Sequence, residues 1–179
     1  ESIAGYYFEV EEPIKALSII EIGEQQHPVS ENIILFKGEA LIQLDRKIEA
    51  VEVLKYALDL NPLNGNAIRI LGTIYAGLLE HEKAIVYFEK AITFDLDYKA
   101  ELFLDLAFQY QALSNFKKAL CFFKEALELD MENETALFEV GLCYNELDLD
   151  NEAVQYFEEF LEQQPYSYIG WFNLGNSFY

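Results

Sequence analysis

Basic residues are scarce in this chain: 12 lysines and arginines stand against 32 aspartates and glutamates, a formal charge of −20 over 179 residues. Such a surface repels phosphate backbones and anionic lipid, which argues against nucleic acid and against polybasic membrane attachment. A basic or neutral partner is favoured instead, and the same acidic faces keep an aromatic-rich chain in solution. Only two cysteines occur, Cys121 and Cys143, without CxxC spacing. They read as small packing residues rather than a metal site or a structural disulfide. No apolar run reaches 18 residues, so no segment reads as a membrane span. The nine glycines form no GxxxxGKS/T, GxGxxG or GxSxG, which removes the common phosphate loops and the nucleophile elbow.

Chemistry finds little else to use. His81-Glu82 begins like HExxH, but Ile85 holds the fifth place, and His27 precedes Pro28 in a turn. Both histidines read as surface residues, because neither has a triad or ligand partner. Glu146, Asp148 and Asp150 alternate like the start of a calcium loop, yet Asn151 and Phe157 occupy the places of its glycine and bidentate glutamate. Asn133-Glu134-Thr135 matches a glycosylation acceptor by letter only. No cofactor, metal or catalytic residue is expected, and the chain reads as non-enzymatic. No compartment is specified; the cytoplasm is slightly favoured.

What the chain does have is a period. Ala16, Ala50, Ala84, Ala119 and Ala153 recur every 34 or 35 residues. Twelve before each stands a small residue, Ala4, Gly38, Gly72, Ala107 and Gly141, with Gly175 continuing the column. Three after these come Tyr7, Leu41, Tyr75, Tyr110, Tyr144 and Phe178, and four after the alanines come Ile20, Leu54, Phe88, Phe123 and Phe157. At 100° per residue these columns fall on single faces of two successive helices in each unit, so each unit reads as an antiparallel helix pair with facing apolar stripes. Self-similarity at this spacing marks stacked units that bury their apolar faces only against neighbours.

The columns resemble the tetratricopeptide repeat, W-x2-L-G-x2-Y, then A-x3-F, then P. Trp171, Leu174, Gly175 and Phe178 nearly spell its first half, as do Leu71, Gly72 and Tyr75, and Pro28, Pro62 and Pro165 close units. The expected architecture is an all-α, right-handed α-solenoid superhelix of antiparallel helix pairs. It runs as one domain over 1–179: a partial repeat at 1–30, repeats at 31–64, 65–99, 100–133 and 134–167, and a lone first helix at 168–179. Lys37, where an apolar residue is usual, Leu96 and Met131 in place of proline, and Phe160 in a small-residue column depart from the pattern. Glu1 in place of methionine and ends cut within a unit suit a piece of a longer chain.

The resemblance implies that a stripe at unit positions 2, 5, 9 and 12 lines a concave groove, and there the residues stop repeating. In the C-terminal half Leu104, Phe108, Phe138, Leu142 and Phe172 make an apolar lane, flanked by Glu101, Asp105 and Glu139, with Asn145 on the same stripe. Exposed apolar patches of that kind mark interaction sites. The lane is expected to receive an apolar or amphipathic protein segment carrying basic residues, and alternatively to belong to the core. Asn32, Asn66 and Arg69 evoke the clamp with which some relatives hold acidic chaperone tails, but Glu39 beside them argues against a carboxylate-rich ligand. Two other readings stand: a self-assembly module whose end faces pair with another copy, and a substrate-recruiting arm of a larger enzyme.

Overall fold

The computed structural model of the chain describes residues 13–27, 29–94 and 98–178. Ala4, Tyr7, Pro28 and Leu96 of the repeat columns lie outside the described residues. Among those described, every regular element is a helix: α1 Pro13–Gln26, α2 Glu31–Gln43, α3 Lys47–Leu60, α4 Gly65–Gly77, α5 His81–Ala91, α6 Lys99–Ala112, α7 Phe116–Leu129, α8 Glu134–Asn145, α9 Asp150–Gln163 and α10 Tyr168–Asn176. The fold is an all-α solenoid of helix pairs. Two compact units divide the chain after Ala91, one holding α1–α5 and the other α6–α10. Even-numbered helices are the first of each pair, odd-numbered the second.

Local chemistry sets the boundaries. The side chains of Asn64, Asn115, Asn133 and Ser167 each accept the backbone N–H three residues on, satisfying a donor that the first helical turn leaves orphaned. Asn133, the letter-match for glycosylation, is thus a helix cap. Within each complete pair the turn is made by one residue in the left-handed region: Asp45, Leu79, Ser114 and Asp148, with φ of 56°, 59°, 55° and 57°. The following amide then reaches back to the carbonyl of Leu41, Tyr75, Tyr110 or Tyr144 at 2.8–2.9 Å, closing the helix with a six-to-one bond. Asp148, read as part of a failed calcium loop, serves this turn. Leu79 is the odd member, since a branched side chain gains nothing there and is 75% exposed. Leu79→Gly is expected to raise unfolding free energy by about 1 kcal/mol, the cost of left-handed backbone for a residue with a Cβ, checked by denaturant titration.

The small column explains how the two helices of a pair approach. A Cβ placed on Gly72 would lie 2.7 Å from the Phe88 ring, and one on Gly141 2.7 Å from Phe157; at Gly38 the neighbour is Leu54 at 2.9 Å. Phe88, Phe123 and Phe157 are fully buried, each contributing about 1.5–3 kcal/mol through area removed from water. The columns therefore seat a large apolar side chain on a small residue once per repeat, as a ring on glycine at Gly72 and Gly141. Beside each joint in the last three pairs a second aromatic pair packs: Tyr75 with Tyr87, Tyr110 with Phe122 and Tyr144 with Tyr156, ring centroids 5.3–5.6 Å apart. Lys83, Lys118 and Lys124 lie over the tyrosine faces at 4.6–5.2 Å.

Two of the departures from the pattern, Lys37 and Phe160, have structural reasons. Lys37 donates to Glu24 Oε2 at 2.6 Å, joining α2 to α1. Phe160 is buried, and its bulk is accommodated by Gly170 of the next helix, where an added Cβ would meet Phe160 Cε1 at 2.9 Å. Cys143 is buried among these helices, which pushes its thiol up to about 12, whereas Cys121 is exposed.

Candidate functional site

The sequence-predicted lane lies entirely in the second unit, on the first helices α6, α8 and α10. Each member is placed by its repeat position one residue away from the packing stripe, so its ring shares its surface between core and solvent. Leu104 is half-buried against the cluster of Phe103, Ala126 and Ala136. Phe108, one turn on, is half-buried and meets Phe123 edge-on at 5.1 Å. Phe138 packs 5.7 Å from Phe157 and 5.1 Å from Phe160, and half-buried Leu142 joins the same cluster. Phe172 stands apart from them, 64% exposed. Four members thus support the core with one face, and the fifth is mostly exposed to solvent.

Polar groups cross between the same helices. Gln111 on α6 donates to Glu139 Oε2 on α8 at 2.7 Å, and Ser177, just past α10, donates to Asn145 Oδ1 at 2.9 Å. Asp105 is half-buried on α6 and Glu101 is exposed one turn before it. Burial raises the Glu139 carboxyl above its ordinary value, with the Gln111 hydrogen bond lowering it in part. A carboxylate in that position lacks a cation and gains from one. For a raised acid, the folded state binds the extra proton, so this group's contribution is favourable below the ordinary carboxylate pKa and is lost as pH rises through the raised value. Glu139→Gln is accordingly expected to stabilise the chain at pH 7 and to make no difference below pH of about 4, near the ordinary glutamate pKa, measured by thermal melts across that range.

In the first unit, Asn32, Glu39, Asn66 and Arg69 border a cleft whose apolar lining the sequence reading did not identify. Between α2 and α4 a cleft of about 450 Å³ is lined by Phe36, Ile42 and Ile70 with Glu39, Arg69 and Thr73. A smaller hollow of about 240 Å³ adjoins it, adding Asn32, Leu35 and Asn66. Burial raises the Glu39 carboxyl, and the Arg69 guanidinium lowers it in part. Leu35, Glu39, Arg69 and Thr73 belong to the same non-repeating stripe as the lane. Phe36 and Ile70 sit one position off it, which is why the stripe alone did not reveal an apolar floor. The opposite charges of Glu39 and Arg69 in successive units were the available signal.

Among the described residues no group of three or more His, Cys, Asp or Glu side chains is placed to hold a metal ion. No described helix is long and apolar enough to cross a membrane.

Comparison with known proteins agrees with this architecture. The family model described as Tetratricopeptide repeat matches residues 70–98 and 134–167. Among curated proteins none matches by sequence. Among solved structures the chain is similar to MamA, at 22% identity and a TM-score of 0.83, covering 92% of this chain and 96% of that one. It is similar to MamA 41-end from Desulfovibrio magneticus RS-1, at 19% identity and a TM-score of 0.83, covering 93% of each. It is also similar to YrrB, described as a TPR protein with an unusual peptide-binding site, at 22% identity and a TM-score of 0.80, covering 89% of this chain and 81% of that one. Two repeats of the chain thus match the tetratricopeptide repeat directly, and the other helix pairs carry the same columns of a small residue facing a large apolar one.

Proposed function

We propose that the chain is a protein–protein interaction scaffold whose first-helix face in the second unit binds an apolar protein segment bearing basic residues. Tetratricopeptide repeats are in general such scaffolds, without enzymatic activity of their own. The observation that carries the finer reading is the pairing of half-exposed rings with a half-buried acid: Phe108, Phe138 and exposed Phe172 offer aromatic anchors, and Glu139 offers a desolvated carboxylate beside them. Aromatic anchors in partly desolvated settings supply most of the affinity in interfaces of this kind. The acids at Glu101, Asp105 and Glu139 supply selection for a cation and steer its approach.

A second surface is favoured by a different observation. The cleft between α2 and α4 is within the size range of ligand pockets, and its charges neutralise one another across an apolar floor. It suits an uncharged apolar side chain, where the lane suits a basic one. YrrB's unusual peptide-binding site supports looking for peptide ligands on both. Selection of displayed random peptides on the purified chain tests the proposal: enrichment of sequences pairing large apolar residues with lysine or arginine supports it. Enrichment of acidic sequences, or none, contradicts it.

A further inference from the structure

The same crevice occurs in both units with its polarity inverted. In the first unit, between α2 and α4, Ile42 and Ile70 contribute to the apolar floor, with Glu39 and Arg69 beside them. Counted along the repeat, Gln111 and Glu139 stand in the second unit where Ile42 and Ile70 stand in the first, and Phe108 and Phe138 where Glu39 and Arg69 stand. The hydrogen bond from Gln111 Nε2 to Glu139 Oε2 shows that α6 and α8 meet at these positions, as α2 and α4 do. An amide and a carboxylate thus take the floor positions, and two half-buried rings take the flanking ones. Both α6 and α8 are followed by their own second helices, α7 and α9, so no end of the chain opens this crevice.

The two crevices also differ in how their acid is balanced. Glu39 and Glu139 are both half-buried, and burial raises both carboxyls. Glu39 has the Arg69 guanidinium to oppose that effect, whereas Glu139 has only the uncharged amide of Gln111. The second unit has no cation to spare for it. From Glu125 to Tyr179 the sequence holds no lysine, arginine or histidine, so α8, α9 and α10 supply none. Lys99 opens α6 twelve residues before Gln111, about 18 Å along the helix. On α7, Lys118 donates to the Tyr110 hydroxyl and Lys124 to that of Tyr144, while Lys117 is exposed in the first turn. A carboxylate drawn out of water is costly until a cation completes it. Here that cation has to arrive with a ligand.

Resting on the reading of the lane as a binding face, we propose that Glu139 alone fixes its specificity. A lysine or arginine of the bound segment enters the crevice between α6 and α8 end-on, lays its aliphatic stem against Phe108 and Leu142, and brings its charge to the carboxylate that Gln111 holds. Long cationic side chains bury their stems in this way while the head stays in polar company. Glu101, exposed at the rim, then steers without selecting. The test is a selection of displayed random peptides run in parallel on the whole chain, on Glu139→Ile and on Glu101→Gln. Isoleucine stands at this position in the first unit, so Glu139→Ile gives the second crevice the floor of the first. The unaltered chain and Glu101→Gln are expected to enrich lysine or arginine beside apolar anchors. Glu139→Ile is expected to keep the anchors and enrich leucine or methionine in place of the cation, because specificity is a difference between ligands and the variant reverses its sign. In a peptide selected on the unaltered chain, exchanging that cationic residue for norleucine should weaken binding about tenfold or more, the scale of one hydrogen bond to a charged group, and should strengthen it on Glu139→Ile. Cations enriched equally on both, or lost with Glu101→Gln, overturn this inference and leave the binding face standing. No enrichment on the unaltered chain overturns the binding face and this inference with it. Should Glu139→Ile lower the melting temperature, the near-isosteric Glu139→Gln decides by whether the preference for a cation disappears.

Discussion

Phe157→Ala is expected to lower the unfolding free energy of the second unit by about 3–5 kcal/mol, the range for deleting a buried aromatic ring. The ring is fully buried, sits on Gly141 and packs against Phe138, so α8 and α9 lose two contacts at once. The cavity cannot close by side-chain movement alone, because Gly141 has no side chain to fall into it. Repeat stacks derive stability from each unit and its immediate neighbours. Hydrogen exchange should therefore accelerate most in α8 and α9, with α2–α5 keeping their protection. Gly141→Leu attacks the same joint from the other side and is expected to cost at least the 1–3 kcal/mol typical of overpacking. Equal loss of protection along all described helices is the outcome that contradicts a locally built stack.

Phe172→Ala is expected to weaken a peptide selected on the chain by tenfold or more, about 1.4 kcal/mol, without changing the melting temperature. Its ring is mostly in solvent, so little of the core depends on it. Phe138→Ala should behave differently. That ring touches both Phe157 and Phe160, so truncation is expected to cost stability as well as affinity. Phe108, edge-on to Phe123, falls between the two. The acids should appear in the salt dependence: exposed charges are screened beyond about 10 Å at 0.1 M, so added salt weakens the steering from Glu101 more than the contact at half-buried Glu139. Affinity that survives Phe172→Ala and Phe108→Ala together places the ligand elsewhere, and the cleft between α2 and α4 becomes the site to test.

Much of the fold is legible in the letters because its joints are local and repeated. A glycine or alanine and a large apolar residue sixteen residues later specify a helix pair, and four such pairings in register leave little freedom. Phe160 was harder to read, since its compensation lies ten residues on at Gly170 and has no counterpart in the other repeats. Leu79 was harder still: Asp45, Ser114 and Asp148 are ordinary left-handed turn residues, and only the shared turn geometry forces leucine into the same conformation. The candidate site was half legible. Departure from periodicity marks the stripe, because packing does not dictate those residues, but how far each ring turns into the core depends on neighbours such as Phe123 and Phe160. Phe36 and Ile70 show the limit, lying off the stripe yet flooring the larger cleft.

The central claim is that the first-helix face, not the second-helix surface, receives the partner. Backbone and methyl chemical-shift mapping with a selected peptide tests it most directly. The account predicts perturbations concentrated at Leu104, Phe108, Phe138, Leu142 and Phe172, with Glu139 shifted further than Glu125 or Glu159. Perturbations confined to α7 and α9, or spread evenly over the described helices, would contradict it.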